Sequence, residues 1–223
     1  MEATVINQEK LRVISNPVIL QNLCTMRDKE TSSQGVRIAT RKITRMLLYE
    51  ASKGLPLIKK TITTPVATFD AQTIDPDINI IISPILRAGL IFTDEAIDIL
   101  PQAIIRHIGM YRDERTLKPV WYYNKLPMKV QNPDKTFVYI TDPTLATGNS
   151  LTEAIKLYIS KGVKEENIRA ICIIAAPEGI KSIQTQFPKI EIIAAALDIG
   201  LNEKGYIIPG MGDAGDRIFN TED

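Results

Sequence analysis

Long apolar runs and an excess of either charge are missing from this 223-residue chain, and cysteine and histidine are scarce. No stretch approaches the roughly 18–20 consecutive apolar residues of a membrane-spanning helix, so no membrane partner is expected. The two cysteines, Cys24 and Cys172, stand far apart with no histidine nearby. That spacing excludes a disulfide framework and a zinc site. The single histidine, His107, lies in an apolar run between Ile105 and Ile108. It reads as structural rather than as a general base, and no Ser/His/Asp or Cys/His set can be assembled around it. Lys and Arg total 27 against 26 Asp and Glu, a formal net charge of +1. No global field therefore draws the chain to nucleic acid or anionic lipid. The polar opening residues, with Glu2 and Glu9, match neither a signal peptide nor a basic transit peptide, and a cytoplasmic protein is expected.

What is present is an ordinary globular balance, 44% hydrophobic and 24% charged residues, without internal repeats or low-complexity tracts. At about 150 residues per domain, one domain over residues 1–223 is the expectation. Between residues 31 and 54 the apolar side chains fall at Val36, Ala39, Ile43, Met46, Leu47 and Ala51, the spacing of one helix face. Thr31 to Ser33 supply caps and Gly54 a stop. The alternation over residues 57–69 predicts a hairpin or edge strand. Five β-branched runs follow at 78–82, 103–110, 137–141, 170–175 and 190–197. They are nearly continuous in apolar residues rather than alternating, as strands buried on both faces should be. Helix-compatible segments at 88–100, 150–161 and 178–187 lie between several of them. The predicted architecture is α/β, a parallel five-stranded sheet with helices on both faces. Residues 111–135, polar, proline-bearing and containing Trp121, Tyr122 and Tyr123, form a flap or arm rather than a tight turn.

In such a sheet, ligands bind beyond the carboxyl ends of the strands. After the third run comes Asp142-Pro143-Thr144-Leu145-Ala146-Thr147-Gly148-Asn149-Ser150, leading into a helix. Thr147, Gly148, Asn149 and Ser150 place hydroxyls and free N–H groups where a phosphate is stabilised. Asp142 would repel phosphate, so it suits sugar hydroxyls or a cationic centre, and the segment reads as a ribose-phosphate site. The alternative is a plain strand-to-helix turn with a serine cap. The lack of Gly-Lys-Ser/Thr excludes a P-loop hydrolase. Arg87 and Arg112 stand at neighbouring strand ends and can hold a diphosphate with paired donors. Their alternatives are a surface arginine at 87 and, at 112, an ion pair with Asp113 or Glu114. Gly210, Gly212 and Gly215 match a dinucleotide fingerprint literally, but only eight residues follow Gly215, so no βαβ unit can. The segment instead offers approachable backbone around Asp213, fit to read a flat heterocycle, or else is a glycine-rich loop. Asp75, Asp77 and Asn79 open like a calcium loop, but Ile80 and Leu86 occupy the positions that require Gly and Glu.

Ser-Pro-Ile-Leu-Arg-Ala-Gly-Leu, Met-Tyr-Arg-Asp-Glu, Asp-Pro-Thr-Leu-Ala-Thr-Gly-Asn-Ser, Ala-Ala-Pro-Glu-Gly-Ile and Gly-Tyr-Ile-Ile-Pro-Gly-Met-Gly-Asp-Ala-Gly-Asp occur in that order. Together they resemble the uracil phosphoribosyltransferases, from about residue 26 to residue 221. Thr144, Asn149 and the ending Asn220-Thr221-Glu222-Asp223 depart from the usual pattern; asparagine tolerates the left-handed dihedrals of such a loop. The resemblance implies a type I phosphoribosyltransferase fold with a hood made by the terminal segments. It also implies conversion of uracil and 5-phosphoribosyl 1-diphosphate to UMP and diphosphate, with Mg²⁺ carried on the donor diphosphate rather than by protein ligands. It assigns Arg87, Arg112, Asp213 and every residue from Asp142 to Ser150 to the donor. Tyr206, Ile207, Gly212, Asp213 and Ala214 go to uracil, and Asp142, Asp213 and Arg112 to the chemistry. It further implies a homo-oligomer, dimer or tetramer, and a nucleotide effector such as GTP, with residues 27–33 as its candidate place. An RNA-binding regulator on the same fold would need a concentrated basic face, which interspersed charges do not favour. A transferase for another base stays open at this point.

Overall fold

The structure, a computed structural model, describes residues 6–112 and 119–221; of Arg112 it describes the backbone alone. Strand β1 (Leu11–Val13) leads to helix α1 (Pro17–Arg27). Asn16 accepts from the Val18 N–H, Pro17 fills the first turn, and Ile19, Leu23 and Met26 make the buried stripe. Helix α2 (Ser33–Ser52) starts where the Ser32 hydroxyl accepts from the Gly35 N–H, and buries Val36, Ala39, Ile43, Leu47 and Ala51 as the spacing predicts. Strands β2 (Leu57–Thr63) and β3 (Thr68–Ile74) form the expected hairpin as a separate two-stranded sheet.

The predicted strand 78–82 extends into β4 (Asn79–Leu86), followed by a 3₁₀ turn and helix α3 (Thr93–Ile99). The next run breaks at Arg106 and His107 into β5 (Ile104–Ile105) and β6 (Ile108–Arg112), and β7 (Pro119–Asn124) returns antiparallel to β6. Then come β8 (Thr136–Thr141), β9 (Thr144–Leu145), α4 (Asn149–Ser160), β10 (Ile168–Ala175), α5 (Pro177–Gln186) and β11 (Glu191–Leu197). The chain finishes with the short pair β12 (Gly200–Leu201) and β13 (Ile207–Ile208), then α6 (Ala214–Phe219).

The main sheet runs β1-β11-β10-β8-β4-β6-β7, parallel throughout except for β7, with β5 beside β4 and β9 beside β10. The five predicted core strands are thus present, widened by β1 and β7. Strand alternation divides the core. Ile171, Ile173 and Ile193 pack with α1, α2 and α3, while Ala170, Cys172 and Ile192 pack with α4 and α5. The N- and C-terminal segments meet as a hood: Arg217 donates to the Met26 and Asp28 carbonyls at 2.7 and 2.6 Å, and Arg37 to that of Ile218 at 2.9 Å.

Two polar linkages cross this apolar frame. The buried Tyr158 hydroxyl on α4 donates to Ser83 Oγ at 2.9 Å, and Ser83 donates to the Arg106 carbonyl at 3.0 Å, at the break between β5 and β6. Arg169 on β10 donates to the Ala51 and Lys53 carbonyls at the end of α2, to the Tyr139 hydroxyl, and to Glu191 at 2.9 Å. Removing its guanidinium strands the hydroxyl of a fully buried tyrosine and two carbonyls. Arg169→Met is expected to cost about 2–4 kcal/mol and to lower Tm by roughly 5–10 °C in calorimetry. A shift of about a degree would mean that water replaces the arginine there.

Candidate active site

Several parallel strands of the main sheet deliver a polar residue to the same edge. Arg87 follows β4, Asp142 follows β8, and β6 ends at Arg112, whose side chain lies outside the described residues. Arg87 is largely exposed and turns toward the C-terminal segment. Its Nη2 lies 3.2 Å from Asp216 Oδ1 and its Nη1 3.5 Å from Thr221 Oγ1. A cavity of about 490 Å³ opens beside it, lined by Arg87, Tyr111, Tyr122, Thr144, Asp213 and Gly215 among others. Tyr111 and Tyr122, from β6 and β7, form one wall with ring centroids 6.4 Å apart.

Thr144 brings the loop from 142 to 148 to this cavity. The Pro143 carbonyl accepts from the Ile173 and Ile174 N–H groups at 2.9 and 3.0 Å, and the Leu145 carbonyl from that of Ala176 at 2.8 Å. The Leu145 side chain is buried in the core below, so this residue can offer only main chain. At Gly148 the chain takes φ +82°, a conformation that favours glycine, and α4 begins with no side chain capping it. Its first-turn N–H groups therefore have no intrahelical partner and form an anion-binding end. Opposite, a Cβ at Gly179 of α5 would sit 2.5 Å from the Ala146 carbonyl oxygen. The loop is thus pressed backbone to backbone between a strand and a helix, and its donors are fixed in advance.

Asp142 borders this loop, half-buried. Loss of water around the carboxyl pushes its pKa up to about 7. The Thr144 N–H, 3.4 Å from Oδ1, opposes the rise, and the nearby Asp213 carboxylate adds to it.

A smaller cavity of about 140 Å³ adjoins the first, sharing Thr144, Asp213 and Ala214 with it and adding Tyr206, Ile207 and Gly212. Strand β13 starts its wall, and Asp213 ends it by accepting the Asp216 N–H at 3.0 Å as the cap of α6. The structure thus brings Arg87, Thr144, Asp213 and Ala214 to one cavity and Tyr206, Ile207 and Gly212 to its neighbour. Asn149 is exposed at the start of α4. In the 27–33 segment, Arg27 is engaged by Asp198, with Nη2 to Oδ1 at 2.6 Å.

Four participants are absent from the sequence-based site. Tyr111 and Tyr122 needed the pairing of β6 with β7 to be placed. Asp198 directly follows β11, and attention to strand ends would have found it. Arg217 carries no sequence signal, because its partners are main-chain carbonyls.

The family described as uracil phosphoribosyltransferase matches residues 13–221. Among curated relatives, a uracil phosphoribosyltransferase of Dictyoglomus thermophilum is 44% identical over 210 residues, 94% of this chain and 99% of that protein. One of Lactococcus lactis subsp. cremoris is also 44% identical, over 96% of this chain and 99% of its own. A solved structure of an Aquifex aeolicus protein superposes with TM-score 0.85 at 35% identity, over 95% of this chain and 99% of that one. With the loop, the paired cavities and these likenesses together, the chain belongs to the uracil phosphoribosyltransferase family, enzymes that convert uracil and 5-phosphoribosyl 1-diphosphate to UMP and diphosphate.

Proposed function

We propose that in this chain phosphoribosyl transfer runs across the two joined cavities, with the donor in the larger and uracil in the smaller. The observation that carries this reading is their shared boundary, Thr144, Asp213 and Ala214. A bond formed between occupants of the two cavities would lie beside those residues. The 5′-phosphate takes the open first turn of α4 and the loop from Asp142 to Ser150. Asp142 faces the ribose, and Arg87 takes the diphosphate with its forked donors. Arg112, at the end of β6, belongs with Arg87 in this reading. Main-chain groups of Ile207 and Gly212 to Ala214 take the edges of uracil, with Tyr206 at the rim.

The anomeric bond breaks with positive charge developing on the sugar. Arg87 and Arg112 stabilise the leaving diphosphate, while Asp142 and Asp213 oppose the sugar charge. Holding uracil N1 in line with the anomeric carbon removes up to ~7–11 kcal/mol of entropic barrier in favourable cases. The Asp213 carboxylate lines both cavities, and Asp142 stands two residues before Thr144, which lines both as well. This donor set fits Mg²⁺ arriving on the diphosphate, where it neutralises leaving-group charge. Residues 111–135 act as the flap that excludes water, within one domain spanning residues 1–223.

The β2–β3 hairpin leaves Leu57, Ile58 and Phe69 exposed. A two-stranded ribbon standing alone is marginal in water, which supports association with a second copy. A nucleotide effector such as GTP at residues 27–33 rests on Lys29 and Thr31, because the Arg27 guanidinium is already engaged. A cytoplasmic setting follows from phosphorylated substrates, which do not cross membranes unaided.

Three outcomes check this reading. Asp213→Asn keeps a good cap for α6 but removes the charge; kcat for UMP formation should fall by two orders of magnitude or more with Tm little changed, and near-parental turnover would remove Asp213 from the chemistry. Arg87→Ala should raise the KM for the donor at least about tenfold, and an unchanged value would make Arg87 a surface residue. For Asp142, a folded-state pKa near 7 against the ordinary 3.8 means that the folded chain holds more protons than the unfolded one between those values. Its contribution to stability therefore falls as pH rises through that window. In the absence of substrates, Asp142→Asn should unfold a few degrees above the parent at pH 8, with the gap closing toward pH 4. A gap independent of pH would show an ordinary carboxyl.

A further inference from the structure

Asp198 follows β11 as Arg87 follows β4 and Asp142 follows β8, and its carboxylate is buried. Arg27, the last residue of α1, donates to both of its oxygens, at 2.6 and 2.8 Å. This ion pair does not close on itself. Arg27 Nη1 also donates to the Gly210 carbonyl at 2.8 Å, and the Gly210 N–H donates to Asp198 Oδ2 at 2.8 Å. Both polar groups of one residue are thereby held by one charged pair. At the next residue, Arg217 Nη1 donates to the Met211 carbonyl at 2.9 Å while also binding the Met26 carbonyl of α1. Gly210 has φ +61°, and a Cβ there would collide with the Ile207 carbonyl. The turn between Ile207 and Gly212 is thus folded onto itself and fastened at its apex.

We propose that Arg27 and Asp198 are positioning residues for the base. By holding the Gly210 N–H and C=O, they set the orientation in which Gly212 to Ala214 present main-chain groups to the smaller cavity. The inference rests on reading that cavity as the uracil site. Stability alone does not account for the arrangement, since a buried ion pair gains little over apolar packing of similar volume. Among the described residues, the side-chain hydrogen bonds that this pair makes outside itself all go to Gly210. Among the described residues Arg87 and the loop after β8 make no hydrogen bond to it, so its loss falls more heavily on uracil than on the donor.

Steady-state kinetics with Mg²⁺, uracil and 5-phosphoribosyl 1-diphosphate test this. Arg27→Lys keeps the charge, but a single ammonium cannot span both Asp198 oxygens and the Gly210 carbonyl. KM for uracil should rise about tenfold, the effect of one lost charge-assisted hydrogen bond, with KM for the donor and kcat changed less than about threefold. The exchanged pair Arg27→Asp with Asp198→Arg restores opposite charges but not the donor and acceptor at Gly210. Its Tm should return toward the parental value while KM for uracil stays high. An unchanged uracil KM in Arg27→Lys, a parallel rise for both substrates, or recovery of both Tm and KM in the exchanged pair would each overturn the proposal. If the exchanged pair does not fold, Arg27→Lys alone decides. Ala214→Leu, which fills the smaller cavity, separates the two levels of the inference. An unaltered uracil KM there overturns the cavity assignment itself, whereas an altered value beside an unaltered Arg27→Lys overturns only the positioning role.

Discussion

Burial of the main sheet on both faces is the constraint from which the rest follows. Helices α1, α2 and α3 cover one face and α4 and α5 the other, so the strands present nothing to a ligand except their ends. Parallel connections bring every long strand out at the same edge. The polar residues that cannot be buried in an isoleucine-rich layer collect there, and Arg87, Asp142 and Asp198 each stand one residue past a strand. The site is in this sense a by-product of where a sheet of this topology can accept charge at all.

Within that edge the charges have opposite duties. Arg87 and the open amides of α4 suit a polyanion, while Asp142 and Asp213 are close enough for the second to raise the pKa of the first. Two like charges near each other, one of them short of water, are an unfavourable resting arrangement. A positive partner relieves it, and in the proposed reading the sugar ring becomes that partner only as its bond to diphosphate breaks. The resting strain and the electrostatic help given to the reaction are two views of one geometry.

Much of this was legible from residue order. The continuous apolar runs located the core strands, and the face from Val36 to Ala51 located α2, because burial imposes a period on the sequence. The loop from Asp142 to Ser150 is legible as a turn into α4 for a different reason, since glycine and hydroxyls gather at a helix start. Helix α1 escaped although Asn16-Pro17 and the spacing of Ile19, Leu23 and Met26 encode it; three apolar positions are a faint signal beside the long runs that follow. The break of the second core strand at Arg106 and His107 is not encoded by periodicity at all. It arises where Ser83 takes the Arg106 carbonyl out of the sheet ladder. The clamp at Gly210 is hidden because Arg27 and Asp198 stand 171 residues apart and the group they hold is main chain.

The relay from Tyr158 through Ser83 to the Arg106 carbonyl has a mechanical meaning. Tyr158 lies on the helix that follows the loop from Asp142, Ser83 on the strand that Arg87 follows, and Arg106 just before the strand that ends at Arg112. Three elements that reach the edge at separate points are thus tied together beneath it, inside the core and out of reach of water. A displacement of one cannot be absorbed locally and is passed to the other two. The edge therefore behaves as a single stiff jaw rather than as three independent fingers, and damage to any one finger is felt as a misalignment of the whole.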